Sequence, residues 1–206
     1  MQFLQSDVLQ LQSASLYRDD QLIFSDISFE LKGGNHLIIK GNNGSGKTSL
    51  IRTLCGLTQL TEGSVLWNHN PIDGISSDYY KHLAYLAHTN GLIPELTLLE
   101  NLTFSLQMTD LDEDHSVLEG FQLKQSLNSQ IATLSNGQSR KTALSFIIMS
   151  RKKLWVFDEP YANLDSQSID YLNQQISAHL SDNGMVITST NREEVIPTTN
   201  LEITMS

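Results

Sequence analysis

The chain has 206 residues, a length that suits one α/β domain with a buried core. Its 13 Lys and Arg against 23 Asp and Glu give a net charge of −10, which disfavours a nucleic-acid partner bound through a broad basic surface. No window approaches 18 consecutive apolar residues, and the N-terminus has neither a basic region nor an apolar signal core, so we expect a cytoplasmic chain.

Short apolar or alternating runs bounded by turn residues predict strands and helices that alternate along the chain. The predicted strands are residues 3–11, 22–31, 37–40, 63–67, 83–87, 154–157, 185–190 and 201–205, and the predicted helices include 49–57 and 167–180. The first two strands flank a turn at residues 17–20, which indicates a small antiparallel sheet at the front of the chain. The later strands predict a mainly parallel sheet, and the fold class is therefore α/β.

Residues 98–149 differ from the rest because they are polar and mostly helical in periodicity, with Leu at helical spacings. This change predicts a helical subdomain inserted into the sheet. We expect one domain, with a β-rich core at residues 1–87 and 151–206 and the helical insertion at residues 88–150.

Residues 41–48 match the phosphate-loop pattern G-x-x-x-x-G-K-[ST] between a predicted strand and a predicted helix. Backbone N–H groups of such a loop converge on nucleotide phosphates, and the helix N-terminus adds partial positive charge. Lys47 is suited to the outer phosphates and the Thr48 hydroxyl to Mg²⁺. The alternative is a chance glycine-rich turn. The predicted ATP-binding residues are Gly41, Asn42, Asn43, Gly44, Ser45, Gly46, Lys47, Thr48 and Ser49.

Two adjacent acids follow the apolar strand at residues 154–157. The strand delivers Asp158 to the sheet edge beside the phosphates, where it can bind Mg²⁺ through water. Glu159 is then suited to accept a proton from an attacking water. The alternative is a pair of solvated acids at a strand end, which the upstream phosphate loop argues against.

The peptide Leu134-Ser135-Asn136-Gly137-Gln138 is similar to the LSGGQ signature, and it stands about twenty residues before the acidic pair. With the phosphate loop and the two acids, it makes the chain resemble the ATPase subunits of ABC transporters from about residue 17 to residue 189. The resemblance implies a P-loop NTPase (RecA-like) core, with ATP and Mg²⁺ as ligands. It also implies a homodimer with ATP sandwiched at the interface, in which Ser135, Asn136, Gly137 and Gln138 meet the γ-phosphate held by the second chain.

The same resemblance assigns two further features. Tyr17 would stack on adenine, although an isolated Tyr in a turn can also be an ordinary, partly exposed aromatic. Leu164 and Asp165 would belong to the loop that signals between the two ATP sites.

Local segments at residues 85–92, 95–102 and 154–161 resemble the ATP-binding subunit of the cytochrome c maturation complex. In that family the ATPase lies beneath membrane subunits and uses ATP to free a haem-loaded chaperone. The resemblance therefore implies integral membrane subunits as partners, a peripheral location on the inner face of the cell membrane and no direct haem binding. The membrane partner is expected to dock around residues 88–101.

Three positions depart from the common ABC pattern. His88 stands where most such ATPases have a Gln, and because imidazole suits Mg²⁺ poorly we expect a water-mediated contact or a link to the membrane partner, with a structural His as the alternative. Asn191 stands at the switch His, where it can donate a hydrogen bond without becoming a cation, which predicts slow hydrolysis. Asn136 replaces a Gly; its side chain could bond across the dimer or face solvent.

The predicted catalytic set is therefore Glu159, Lys47, Asn191 and His88. An ABC ATPase acting on DNA or ribosomes would need a coiled-coil insertion, two fused ATPase units or a basic surface, which this sequence lacks. Two alternatives stay open at this point. One is an ATP-binding switch with little hydrolysis, and the other is the ATPase of another small ABC exporter.

Overall fold

A computed structural model describes residues 7–72, 77–108, 116–191 and 201–206, which form two sheets and their connecting helices. The strands are β1 (Val8–Arg18), β2 (Gln21–Lys32), β3 (His36–Gly41), β4 (Glu62–Trp67), β5 (Asn70–Pro71), β6 (Leu83–Leu86), β7 (Leu154–Asp158), β8 (Met185–Thr190) and β9 (Leu201–Met205). The helices are α1 (Lys47–Leu54), α2 (Ser77–His82), α3 (Leu98–Met108), α4 (Ser116–Gly120), α5 (Asn136–Met149) and α6 (Ser166–Ser181), with 3₁₀ turns at Lys124–Ser126 and Ile131–Thr133.

The larger sheet is parallel and has the strand order β6-β7-β8-β3-β9. Every residue of its central strands β7 and β8 is buried, because helices or the second sheet cover both faces, and this explains their continuous apolar runs. The carboxyl ends of parallel strands meet at one edge, where Asp158 is in register with Ser189 and Lys40 with Thr190. The residues immediately after β3, β7 and β8 therefore converge.

The smaller sheet is antiparallel, with the order β2-β1-β4-β5. The predicted turn at residues 17–20 is wrong in extent, since Tyr17 and Arg18 still pair with β2 and only Asp19 and Asp20 make the turn, both with positive φ. Two serines and a β-bulge interrupt the alternation of β1 near Ala14, which hides the second half of the strand in the sequence. Residues 3–6 of the first predicted strand lie outside the described residues.

Two apolar clusters hold these layers together. The first lies between the two sheets and includes α1, whose Leu50, Ile51 and Leu54 are fully buried. The second joins α3, α4, α5 and α6 to the other face of the parallel sheet, where Trp155 and Phe157 are buried. The α/β architecture with an N-terminal antiparallel sheet and inserted helices is as predicted, while the boundaries at residues 88 and 150 stay a prediction.

None of the helices within the described residues is both long and apolar enough to cross a membrane.

The last turn of α6 contains a buried histidine, His179, stacked on Trp155 with ring centroids 3.7 Å apart and planes 5° from parallel. Its Nε2 lies 3.1 Å from the carbonyl oxygen of Lys153. Gly184 must lack a side chain because a Cβ there would meet the imidazole ring. Burial is the main cause that lowers the pKa of His179 to about 4, so the ring is neutral at pH 7.

We expect acid to destabilise the fold through His179. An unfolded histidine has a pKa near 6.5, so between that value and about 4 the unfolded chain binds a proton that the folded chain does not. This contribution to stability is complete above pH 6.5 and falls with pH, by about 2 kcal/mol between pH 7 and pH 5. Urea unfolding at both pH values measures it. His179→Gln should remove this part of the pH dependence, and an unchanged dependence in that variant would contradict the assignment.

Candidate functional site

The phosphate loop joins the end of β3 to the start of α1. Gly44 and Gly46 have φ of 87° and 94°, a left-handed conformation that favours glycine. Gly46 directly precedes α1, and a Cβ there would lie 2.9 Å from Cγ2 of Ile23. The loop thus needs glycine both for its backbone angles and for its packing. The Ser45 hydroxyl oxygen is buried and has no hydrogen-bond partner among the described residues.

Lys47 is the first residue of α1 and is only 4% exposed. Its Nζ donates to the carbonyl oxygens of Gly41 at 2.8 Å and Asn42 at 2.9 Å. The same Nζ lies 3.8 Å from Oε1 of Glu159. One ammonium group therefore contacts both the phosphate loop and the acid that follows β7.

Asp158 is 1% exposed, and both of its carboxylate oxygens accept hydrogen bonds. The Thr48 hydroxyl donates to Oδ2 at 2.8 Å and the Ser189 hydroxyl donates to Oδ1 at 2.6 Å. Ser189 Oγ in turn accepts from the backbone N–H of Glu159 at 3.0 Å. This carboxylate thereby connects α1, β7 and β8 at the converging sheet edge.

The Thr48–Asp158 pair fits Mg²⁺, because hydroxyl and carboxylate oxygens are the hard donors that this ion prefers. The described residues contain no group of three or more His, Cys, Asp or Glu that could hold a metal ion. Mg²⁺ in nucleotide sites generally takes few protein ligands and completes its shell with waters and substrate phosphate oxygens.

Glu159 adopts φ of 51°, a left-handed conformation that is uncommon for a residue other than glycine. Hydrogen bonds hold its backbone on both sides, from its N–H to Ser189 and from Arg140 to its carbonyl oxygen. Its side chain is 24% exposed, so the carboxylate reaches solvent. The site thus contains one buried, fully bonded acid and one accessible acid.

The pentapeptide at residues 134–138 forms the beginning of α5. Ser135 caps the helix: its Oγ accepts from the N–H of Gln138 at 3.1 Å, and its own N–H donates to Oε1 of Gln138 at 2.9 Å. This capping box leaves the Ser135 O–H available to an outside acceptor. Asn136 begins the helix in right-handed backbone, is exposed and so needs no left-handed conformation. No hydrogen bond or ion pair between described residues joins the pentapeptide to the phosphate loop.

The first turns of α5 pack directly on the loop after β7. A Cβ on Gly137 would lie 2.6 Å from the carbonyl oxygen of Asn163, so this position must be glycine. Lys141 Nζ lies 2.6 Å from Oδ2 of Asp165, whose Oδ1 accepts from the N–H of Ser168 and caps α6. These partners, Lys141 first, hold the pKa of Asp165 well below its usual range.

Arg140 was missed by sequence reasoning, although it is 4% exposed and forms hydrogen bonds to two loops. Nη1 donates to the Ala87 carbonyl and to Oδ1 of Asn90, and Nη2 donates to the carbonyls of Asp158 and Glu159. Burial lowers its pKa, and the two nearby acids act in the opposite direction. The available signal was its helical spacing, since it lies three residues after Gly137 and four before the buried Leu144.

The remaining predicted residues differ in their surroundings. Tyr17 is 44% exposed at the end of β1, and His88 is exposed in a bend after β6. Asn191 is exposed immediately after β8, and its Nδ2 donates to Oδ1 of Asn43 at 3.0 Å. The fold therefore brings Asn191 to the phosphate loop, together with Asp158 and Glu159, and leaves Tyr17 and His88 at the surface. Ser49 lies half-buried in the first turn of α1.

We expect Ser189→Ala to destabilise the fold by about 1–3 kcal/mol, because it leaves Oδ1 of Asp158 and the N–H of Glu159 unpaired in a buried place. Urea unfolding at neutral pH measures the loss. Ser181→Ala is the matched control, since that hydroxyl lies on the exposed end of α6 and should change stability by no more than about 0.5 kcal/mol. Equal effects of the two substitutions would contradict the role given to Ser189.

Residues 24–162 match the family model described as ABC transporter. The cytochrome c biogenesis ATP-binding export protein CcmA of Histophilus somni is 33% identical over 203 residues, covering 97% of this chain and 93% of that protein. The protein of the same name from Pasteurella multocida is 37% identical over 189 residues, covering 90% of this chain and 89% of that protein.

Solved structures have the same fold. An ATP-binding subunit of an ABC transporter is 25% identical with a TM-score of 0.81, covering 89% of this chain and 79% of that chain. A dimeric ATP-binding cassette in a post-hydrolysis state, bound to ADP and Pi, is 20% identical with a TM-score of 0.81, covering 96% of this chain and 94% of that chain.

Proposed function

We propose that this chain, which belongs to the ABC transporter family of ATP-binding proteins, is the ATP-hydrolysing subunit of a membrane complex in cytochrome c biogenesis. The observation that carries the proposal is the meeting of a phosphate loop, a buried Asp158 and an accessible Glu159 at one sheet edge. The step in cytochrome c biogenesis is inferred from the name of the two relatives described above, whose matches cover 97% and 90% of this chain.

ATP binds with its β- and γ-phosphates against the backbone N–H groups of residues 41–48 and the N-terminus of α1. Lys47 exchanges the carbonyls that it now contacts for the more strongly accepting phosphate oxygens. Thr48 and Asp158 are the residues that would hold Mg²⁺, and the ion would neutralise charge on the phosphates.

Glu159 acts as the general base. A water attacks the γ-phosphorus, the bond to the β–γ bridging oxygen breaks, and the water's proton passes to the Glu159 carboxylate. The reactive carboxylate lies 3.8 Å from Lys47, so base and phosphate-binding cation are already adjacent. Because Ser189 and Arg140 hold the backbone of Glu159, little reorganisation is needed at the moment of reaction.

Two copies of the chain share each ATP. Ser135, Asn136, Gly137 and Gln138 of one copy meet the γ-phosphate bound by the other, with the Ser135 hydroxyl as donor. Two features support this arrangement: Ser135 is exposed, and the capping box fixes its oxygen at the positive end of α5. Tyr17, exposed at the end of β1, is available to stack on the adenine.

Glu159→Gln should bind ATP without hydrolysing it and accumulate as a closed dimer, since the amide cannot take up the proton. Size-exclusion chromatography with light scattering, with Mg-ATP and with Mg-ADP, measures the shift in mass. Glu119→Gln is the control, because Glu119 pairs with Lys124 on the exposed surface and should leave the chain monomeric. A Glu159→Gln variant that stays monomeric at saturating Mg-ATP would contradict the shared-ATP dimer.

Asn191 makes hydrolysis slow. Its amide can donate one hydrogen bond, as it does to Asn43, but it cannot supply a positive charge beside the γ-phosphate. Loss of a preorganised charged donor lowers turnover by about 10²–10³-fold.

Asn191→His should therefore raise the turnover number by at least about 10-fold with little change in ATP affinity. Phosphate release by the purified chain, at saturating Mg-ATP, is the measurement. Asn128→His, an exposed position between the two 3₁₀ turns, controls for the added imidazole. No gain in the Asn191 variant, or wild-type turnover already at ordinary transporter rates, would refute the explanation.

The chain works beneath integral membrane subunits at the inner face of the cell membrane, where ATP-driven closure frees a haem-loaded chaperone from them. We expect no haem on this chain itself. Docking around residues 88–101 is supported by the exposed His88 and Glu95 there and by the exposed apolar side chains of Leu99 and Phe104 on α3. His88 then links the ATP site to the partner.

The two other candidates carry less support. Asn191 supports an ATP-binding switch with little hydrolysis, but a switch does not explain why the Glu159 carboxylate lies beside Lys47. The ATPase of another small ABC exporter would have the same site, but the two relatives described above are named for cytochrome c biogenesis. Single-turnover hydrolysis with membrane partners present separates the enzyme from the switch.

A further inference from the structure

We propose that Arg140 is a positioning residue that ties the turn after β6 to the backbone of Glu159 and so sets the direction of the Glu159 carboxylate. The proposal deepens the function proposed above and rests on it, because it concerns the general base of the same ATP site. Arg140 itself touches no reacting atom. It acts through the carbonyl groups that it holds.

The guanidinium of Arg140 divides its hydrogen bonds between two separate loops. Nη1 donates to the Ala87 carbonyl at 2.9 Å and to Oδ1 of Asn90 at 3.0 Å, in the turn after β6. Nη2 donates to the carbonyls of Asp158 at 2.6 Å and Glu159 at 2.9 Å. One side chain therefore fixes the distance between the turn at residues 87–90 and the acidic end of β7.

Arginine suits this role better than lysine does. Its planar fork presents donors in fixed directions, so it can serve two loops at once, whereas an ammonium group on a flexible stem cannot hold both in a set geometry. The position also has a cost, since Arg140 is 4% exposed and its Nε is buried with no partner among the described residues. A charge kept in so unfavourable an environment points to a requirement for geometry, because apolar packing would serve stability as well or better.

The backbone of Glu159 is the element that needs such restraint. Its φ of 51° persists only if the surroundings hold it, because a side chain disfavours this region. Ser189 holds its N–H and Arg140 holds its C=O, so both peptide groups beside the residue are fixed. Without the second restraint the backbone can rotate, and the carboxylate turns away from the phosphate side.

The arrangement also joins the base to the helix that begins with the pentapeptide. Arg140 lies on α5 five residues after its cap, Ser135. A displacement of the turn at residues 87–90 therefore reaches Glu159 and α5 through the same guanidinium. His88 lies exposed in that turn. A partner bound at His88 can therefore change the position of Glu159 through Arg140.

The test measures single-turnover hydrolysis and ATP affinity separately in the full chain. Arg140→Gln should lower the hydrolysis rate about 100-fold with ATP affinity within about threefold, since a small misplacement of a catalytic group has this effect. Arg140→Lys keeps the charge but loses the fork, and should recover about tenfold of the loss. Arg52→Gln is the control, because Arg52 is exposed in the last turn of α1.

Asn90→Ala is a second, milder variant in case the Arg140 variants misfold. It removes only one acceptor of Arg140, at a half-buried position in the turn. It should lower the hydrolysis rate by about 3–10-fold, and its effect should vanish in the Arg140→Gln background, since the two residues act as a unit. An unchanged hydrolysis rate in Arg140→Gln, or full additivity of the two substitutions, would overturn the proposal.

Hydrogen exchange of the same variants separates failure of this proposal from failure of the proposed function. Arg140→Gln should speed exchange about tenfold or more in two peptides, one covering residues 87–91 and one covering residues 159–164, while the strands β3 and β8 stay protected. If the wild-type chain does not hydrolyse ATP but exchange still rises in both peptides of Arg140→Gln, the proposed function is wrong. The link that Arg140 makes between the two loops is then still supported. If exchange rises only within α5, Arg140 is a local packing residue and the proposal fails.

Discussion

The pair of hydrogen bonds accepted by the buried Asp158 carboxylate is the interaction on which the rest of this molecule depends. A charge at 1% exposure is tolerable only when both oxygens are bonded, and here the two hydroxyl donors come from α1 and β8. Satisfying one acid thereby fixes the first turn of the helix below the phosphate loop and the end of the neighbouring strand. One buried acid at the sheet edge therefore couples the position of α1 to the ends of β7 and β8.

A second set of contacts extends that geometry to α5. Gly137 lies against the Asn163 carbonyl, Lys141 pairs with Asp165, and Arg140 holds the carbonyls beside the acids. The helix that begins with the pentapeptide is therefore packed on the loop that follows Asp158 and Glu159 in the same chain. Asp165 strengthens this packing because the same carboxylate caps α6.

Prediction from the sequence was correct for elements in which residue types recur at a fixed spacing. The strands at residues 185–190 and 201–205 and the phosphate loop followed from apolar runs and glycine positions. It failed where long-range pairing decides, as in the second half of β1, whose serines mask the alternation, and at Arg140, whose acceptors are 18 to 53 residues away in the chain. Backbone carbonyls leave no trace in a sequence, so a side chain that binds only carbonyls and one amide is hard to foresee.

The approach of Gly137 to the Asn163 carbonyl has a consequence for how the chain can diverge. A Cβ at residue 137 would meet a main-chain oxygen, so the fold excludes a side chain there, whereas the neighbouring Asn136 is exposed. The fold of the chain thus restricts residue 137 to glycine and places no such steric restriction on residue 136. The third residue of the pentapeptide can therefore differ from the common glycine while the packing of α5 on the loop at Asn163 is kept.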